Sequence, residues 1–530
     1  MSNSKLLFTR SSKLNHRDLK KKKRLRNKVI GFPLVAIQVI ISIIFLLLLF
    51  HFNILPDKYM IMLIVVLFLI SLYNLISQFT KAHIMGKILA VTLSIALFTC
   101  SFYIAKTTNM LDTISNNGSA NITVSVIVLS SDPAQSITDA KDYKFGSHSI
   151  LDKVNTDKAI TKINEKIGTT IDTSTYSEWK TLVNALYSKE VKAIILNEAY
   201  RAALLESYPD FSSVTKVIDT VTIENQNVPK AADKNVSTEP FSIYIAGNDE
   251  YGSKIADIGR NDVNIIATFN PKTKQAILIT TPRDYYITLD NLAGNTGLDK
   301  LTHAGNFGIE GSITALQNLY DINIDYYVKV NFTGAVGIVD ALGGITVDSE
   351  LAFTTCPDTA PIPYTFVVGD NECNGEKALA FCRERQVLPN GDNQRGRDQM
   401  IAIKGIFAKA TSPAIITNYS AVLDSVSNMF TTNIPTSTIA AMVKDTLSNS
   451  SSWNIQTYNV TGTSANKKCQ LFGFNADVML PDYSTVNNAI ALMSKIKQGE
   501  VFDVDQYISS QKEATTAATK AATKATTKAK

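Results

Sequence analysis

Three long apolar runs, Val29 to Phe50, about Tyr59 to Ile76 and about Ile88 to Ala105, constrain this chain more than any other feature. Each approaches the twenty or so residues that cross a bilayer as a helix. The 45% hydrophobic content over 530 residues agrees with membrane segments rather than a wholly soluble protein. The first run is too long, and too soon followed by two others, to be a cleaved signal peptide. Immediately before it Lys20, Lys21, Lys22, Lys23, Arg24, Arg26 and Lys28 form a basic block. By the positive-inside rule this block stays cytoplasmic, the short loop His51 to Lys58 lies outside and Lys81 to Lys87 inside. Everything after Lys106 is then expected outside the cell. A nucleic-acid patch is the weaker reading of a basic block that adjoins a span, and no nucleic-acid partner is expected.

The remainder divides by composition. A basic segment (1–28) and the spans (29–105) are followed by a polar linker (106–121). Residues 122–228 alternate β-branched strands with a helical pattern, as a small accessory α/β domain does. This stretch holds no phosphate loop or nucleophile motif. After a second linker (229–240), residues 241–500 again alternate strands and helices, and 501–530 ends in an Ala/Thr/Lys repeat expected to be disordered. The fold class is α/β behind three transmembrane helices.

Chemistry concentrates in the second α/β region. Arg383-Glu384-Arg385 and Arg395-Gly396-Arg397-Asp398-Gln399 place four arginines in one short window, with Asp392 between the clusters. Guanidinium groups bind phosphate bidentately and stay charged at physiological pH, so a phosphate or pyrophosphate ligand is expected. Asp249 closes one predicted strand (Phe241 to Ala246) and Asp262 opens the next (Val263 to Phe269). Arg283-Asp284 follows a third strand (Gln275 to Thr280). Carboxylates at neighbouring strand ends can share a hard divalent cation, with Mg2+ favoured where phosphates bind. His303 has no nucleophile motif nearby, and a structural hydrogen-bonding role is expected of it rather than general-base work.

These blocks, with Lys300-Leu301-Thr302-His303-Ala304, Val339-Asp340-Ala341-Leu342-Gly343-Gly344 and Gly375 to Arg385, occur in the order that resembles the LytR-CpsA-Psr family. The three spans and accessory domain resemble its CpsA-type arrangement. The resemblance implies an α/β/α catalytic domain with a central mixed sheet. It also implies transfer of a glycopolymer phosphate, of teichoic acid or capsular polysaccharide type, from an undecaprenyl pyrophosphate carrier to a peptidoglycan sugar hydroxyl. By the same analogy Asp249 and Asp262 hold Mg2+ (or Mn2+), and Arg260, Arg283, Arg383, Arg385 and Arg395 grip the pyrophosphate with Gln399 in support. Lys300 neutralises developing charge, and Asp249 or Asp262 assists removal of the acceptor's proton. One departure from the family is Asp398, where an arginine is usual. Arg397, adjacent on a helix, points about 100° away from that position and is left out of the site. An apolar groove for the carrier is expected along Ile403 to Ala408 and Gly334 to Leu342. The alternatives are a polyprenyl-phosphate-binding regulator or attenuator and a lipid pyrophosphatase.

Five cysteines are present, with Cys100 in a span. Cys356, Cys373, Cys382 and Cys469 allow three pairings. Cys356 with Cys373 is favoured and Cys382 with Cys469 second, and the competing reading makes Cys382 a free thiol of lowered pKa beside Arg383.

Overall fold

The computed structural model describes residues 3–116, 121–148, 152–224, 229–249, 251–252, 255, 258–290, 295–410, 430–448 and 453–513. By contacts the chain forms two units, one comprising Met1–Asp112 with Thr436–Ser450, the other Thr113–Pro435 with Ser451–Lys530.

In the first unit, the helices Asn3–Phe52, Asp57–Ser77 and His83–Asn116 contain the three expected spans, delimited at Asn27–Phe52, Asp57–Ser77 and His83–Lys106. Phe45, Leu67 and Leu97 pack where they meet, while Ile40, Phe68 and Phe98 turn outward. That inside-out distribution suits a lipid solvent, in which apolar side chains face away from the bundle. The buried Gln38 donates to Ser71 Oγ at 3.0 Å and accepts from Asn74 at 3.4 Å, so its amide is satisfied between helices.

The second unit carries two sheets. The accessory sheet has five strands, ordered Asp172–Tyr176, Lys144–His148, Ala193–Asn197, Asn121–Leu129 and Thr215–Glu224. Lys144–His148 pairs parallel with both neighbours, and Asn121–Leu129 antiparallel with both of its own. The larger sheet has six strands, ordered Phe430–Thr432, Tyr326–Asn331, Phe241–Asn248, Asn261–Asn270, Gln275–Thr280 and Asn454–Asn459. It is mixed, since Tyr326–Asn331 runs parallel to Phe241–Asn248, and Asn454–Asn459 parallel to Gln275–Thr280, while the central pairs are antiparallel.

Side chains alternate across a strand, and here both faces are covered. Tyr244, Ala246, Ile266, Ile277 and Ile279 turn to the face packed by helices Gly308–Tyr320 and Tyr483–Gln498. Ile265, Ala267 and Leu278 turn the other way, toward Met400 of helix Gly391–Ala410. The result is three layers, α/β/α.

The accessory sheet shares a core with these layers. Trp179, Leu182 and Tyr200 belong to the same apolar cluster as Phe472 and Leu492, and Tyr200 meets Phe472 with ring centroids 5.9 Å apart. The stretch expected to be unstructured after residue 501 begins with an anchored segment instead. Gln456 donates to Phe502 O and accepts from Val504 N, and residues 504–513 are helical. The Ala/Thr/Lys repeat beyond them lies outside the described residues.

Candidate functional site

A β-bulge sets the position of Asp262. Gly247 pairs with Val263 and Asn248 with Asn261, so Asp262 is the extra residue that the register shift leaves over. A bulge bends the strand and re-aims the side chain it releases. Gly247 permits this approach, because a Cβ there would lie 2.7 Å from Val263 Cγ2. Arg283, placed just past strand Gln275–Thr280 by Thr281-Pro282, donates through Nη1 to Asp262 Oδ2, and its Nε lies 3.6 Å from Asp284 Oδ1. Thr302 donates to Asp262 Oδ1 at 3.3 Å. Beside them Arg260 Nη2 approaches Asp249 Oδ2 at 3.4 Å.

Electrostatics separates the two carboxylates. Burial alone would raise the Asp262 carboxyl, but Arg283, Arg395 and Arg260 outweigh it and hold it below the usual carboxylate range. Asp249 goes the other way, raised by burial and then by the Asp262 charge, against the pull of Arg260 and Arg283. Burial opposes the Arg283 charge as well, yet Asp262 and Asp284 raise its pKa overall. Two carboxylates that repel one another on a cavity wall form an all-oxygen donor pair of the kind that suits a hard divalent cation.

The arginine window adds further positive charge to the same site. Arg383 ends helix Gly375–Arg383, lies over the Phe332 ring with 4.5 Å to its centroid, and donates to Tyr251 Oη at 3.2 Å and Thr359 O at 3.0 Å. Arg395 pairs with Asp392 three residues earlier on its helix. Gln399, one turn on from Arg395 and so on the same face, donates to Cys382 O at 3.3 Å.

Asp249, Asp262, Arg260, Arg283, Arg383, Arg385, Arg395 and Gln399 all line one cavity of about 390 Å³. The other lining side chains are largely apolar and include Phe332, Ala335, Val339, Ile403 and Ile406. The cavity therefore combines charged and aliphatic lining, the latter including residues of the two helices where a groove was expected.

Lys300 is placed differently. It is not among the cavity-lining residues, and its ammonium lies 2.8 Å from Asp284 Oδ1, so it reaches the site only through the acid that also contacts Arg283. Arg397 turns to Glu350 at 2.8 Å, and Asp398 is buried against Gln394 at 3.0 Å, its carboxyl pushed up by burial to about 7. Both lie off the cavity lining. His303 is wholly buried, with Nδ1 2.6 Å from Asp299 Oδ1 and its ring 4.6 Å from Phe472. Asp299 also accepts from Lys300 N and Leu471 N, which makes this a structural network around a chain turn.

The disulfide expectation is corrected. Cys356, Cys373, Cys382, Cys469 and Cys100 are all free thiols. Cys356 Sγ faces Thr359 Oγ1 at 3.3 Å and Cys373 Sγ the carbonyl of Asn371 at 3.5 Å. Cys382 and Cys469 belong to different apolar clusters. Of the competing reading the free thiol stands and the lowered pKa does not, because burial raises the Cys382 thiol.

Sequence reasoning missed Thr302, Tyr251 and Phe332 as partners of the charged groups. Of the three, Thr302 carries a usable signal, since it lies within the Lys300 to Ala304 motif.

The LytR_cpsA_psr family model matches residues 208–483, which span the charged window, the bulge and the helix that carries Arg395. The chain belongs to the LytR-CpsA-Psr family. Polyisoprenyl-teichoic acid–peptidoglycan teichoic acid transferase TagU of Bacillus licheniformis is 35% identical over 215 residues, 40% of this chain and 66% of the relative. TagU of Bacillus anthracis is 32% identical over 247 residues, 46% of this chain and 78% of the relative. The crystal structure of Bacillus subtilis TagV superposes with a TM-score of 0.41 at 25% identity, over 50% of this chain and 99% of TagV. In this LytR-CpsA-Psr chain the family match begins inside the accessory region, at Tyr208, before the six-stranded sheet starts at Phe241.

Proposed function

We propose that this membrane-anchored protein transfers a glycopolymer of teichoic-acid type from a polyprenyl pyrophosphate carrier to a sugar hydroxyl of peptidoglycan, outside the cell. The observation that carries the reading is one cavity lined by both arginines and aliphatic side chains, since a lipid pyrophosphate has the same two chemistries. The names of the TagU relatives point to the same donor and acceptor classes. The basic block before the first span supports this orientation by the positive-inside rule.

In this mechanism the pyrophosphate lies among Arg260, Arg283, Arg383, Arg385 and Arg395. The acceptor oxygen forms a bond to the phosphorus that bears the glycan, and the bridging P–O bond breaks. Polyprenyl phosphate leaves, its new negative charge held by the arginines. Catalysis of this kind rests on positioning and charge neutralisation. Asp249 or Asp262 assists removal of the hydroxyl proton. Asp249 and Asp262 would hold a bound Mg2+, which supplies further neutralisation of the phosphate charge.

The test incubates the purified full chain with lipid-pyrophosphate glycan, Mg2+ and peptidoglycan oligomers. Glycan joined to peptidoglycan, with release of polyprenyl phosphate, is expected. Hydrolysis without transfer would make the protein a pyrophosphatase, and tight binding without turnover a regulator.

A further inference from the structure

Glu384 stands between two arginines that line the cavity, yet it lines no part of the cavity itself and is wholly buried. An acid beside a pyrophosphate site weakens the local positive field, so its presence calls for another reason. Its hydrogen bonds supply one. Oε1 accepts from the amides of Arg385 at 2.8 Å, Gln386 at 2.8 Å and Val387 at 3.3 Å, while Oε2 accepts from the amide of Cys356 at 2.8 Å. Successive amides that converge on one oxygen make a backbone anion nest, and here the chain fills the nest with its own side chain.

The two ends of this carboxylate hold two different pieces of the cavity wall. The segment after Glu384 carries Arg385, and the segment after Cys356 carries Asp358 and Thr359, both cavity-lining. Thr359 O in turn receives the Arg383 guanidinium at 3.0 Å. At Glu384 the backbone leaves the helix with φ −63° and ψ 132°, so the direction of Arg385 is set at the residue whose side chain then holds the turn.

We propose that Glu384 is a positioning residue that aims Arg383 and Arg385 at the pyrophosphate by clamping the turn 384–387 to the segment at Cys356. The role rests on the function proposed above. Four amide bonds outweigh burial and keep the carboxylate ionised, as the clamp requires.

The experiment uses the full chain in detergent micelles and measures binding of inorganic pyrophosphate to wild type, Glu384→Ala, Glu384→Gln and Arg383→Ala, with thermal unfolding of each. Glu384→Ala is expected to weaken binding about tenfold, near the value of one charge-assisted hydrogen bond, and formate is expected to restore much of the loss by occupying the emptied nest. Glu384→Gln keeps an oxygen for the three amides after it and should fold as wild type with a smaller loss, so the role can be read even if the alanine variant unfolds. In the double variant Glu384→Ala/Arg383→Ala the losses should fall short of additive, because one acts through the other. Wild-type affinity in a folded Glu384→Gln together with full additivity in the double variant would overturn the positioning role. Absence of pyrophosphate binding by wild type would instead overturn the proposed function on which it stands.

Discussion

Asp262 and Asp299 are both carboxylates largely closed off from solvent, and both lie beside a basic side chain, but their surroundings diverge. Asp299 is matched by His303, Lys300 N and Leu471 N inside an apolar core, with the Phe472 ring tilted against the imidazole. Asp262 is released by a bulge onto a cavity wall where Arg260, Arg283 and Arg395 lower its pKa together against burial, and the neighbouring Asp249 is driven up by its charge. One cluster closes on itself, and the other leaves charge directed at open space. A Cys-His-Asp grouping, Asp299 with His303 and Cys469, has donor atoms within 4.8 Å of one another and at first sight looks the more chemical of the two. Its internal hydrogen bonds, which tie Asp299 to His303, Lys300 N and Leu471 N, make it a structural feature.

Substitution on each side can break this contrast. Arg283→Ala removes one partner of Asp262 and one side chain of the proposed pyrophosphate site, and transfer should fall by about 1000-fold, the scale of a lost transition-state donor, with a cooperative thermal transition retained. A transfer rate within tenfold of wild type would remove Arg283 from the site. Ala335→Phe fills the aliphatic part of the cavity while leaving every arginine in place. Overpacking of this size costs roughly 2 kcal/mol, so transfer from a long-chain donor should drop about 30-fold while a short-chain donor is used almost normally. Equal loss with both donors would deny that the lipid occupies that part.

On the closed cluster, His303→Ala should lower stability by roughly 3 kcal/mol, since it leaves a buried carboxylate without its partner. Urea unfolding measures this, and turnover per folded molecule should stay within about twofold of wild type; a selective loss of turnover would move His303 into the catalytic machinery. Asp398→Asn should change transfer least. The folded protein holds the Asp398 proton up to about pH 7 whereas the unfolded chain releases it near 3.8. Stability is therefore present at low pH and declines as pH rises through that window. The asparagine variant should lack this decline, as thermal melts between pH 4 and 8 would reveal.

Much of the site was legible because its chemistry lies in charge. Asp249, Asp262, Arg283 and the arginine window stand out at strand ends and in one short stretch, and eight expected residues meet on one cavity. Lys300 was harder, because its neighbours in sequence do not disclose that Asp284 takes its ammonium. The cysteine pairing failed for a related reason: an even count says nothing about which apolar cluster each thiol joins. In the fold, the β-branched strand Gln275–Thr280 is legible at its observed limits. Asn454–Asn459 escaped notice because its residues are mostly polar and half-buried, so neither alternation nor an apolar run marks it. The shared core of the two sheets was equally hidden, as Trp179 and Phe472 are apolar residues whose partners lie hundreds of positions apart.

That inconspicuous strand governs when the protein can finish folding. Gln275–Thr280 is buried at every position, and its outer neighbour is the parallel strand Asn454–Asn459, which emerges long after it during synthesis. Pairings of such large separation form slowly, and a strand left without its neighbour is a template for association with other chains. Premature termination before residue 454 would leave every site residue encoded and yet give a chain prone to aggregate, so the last part of the message acts as a quality gate for a cavity to which it contributes no lining residue.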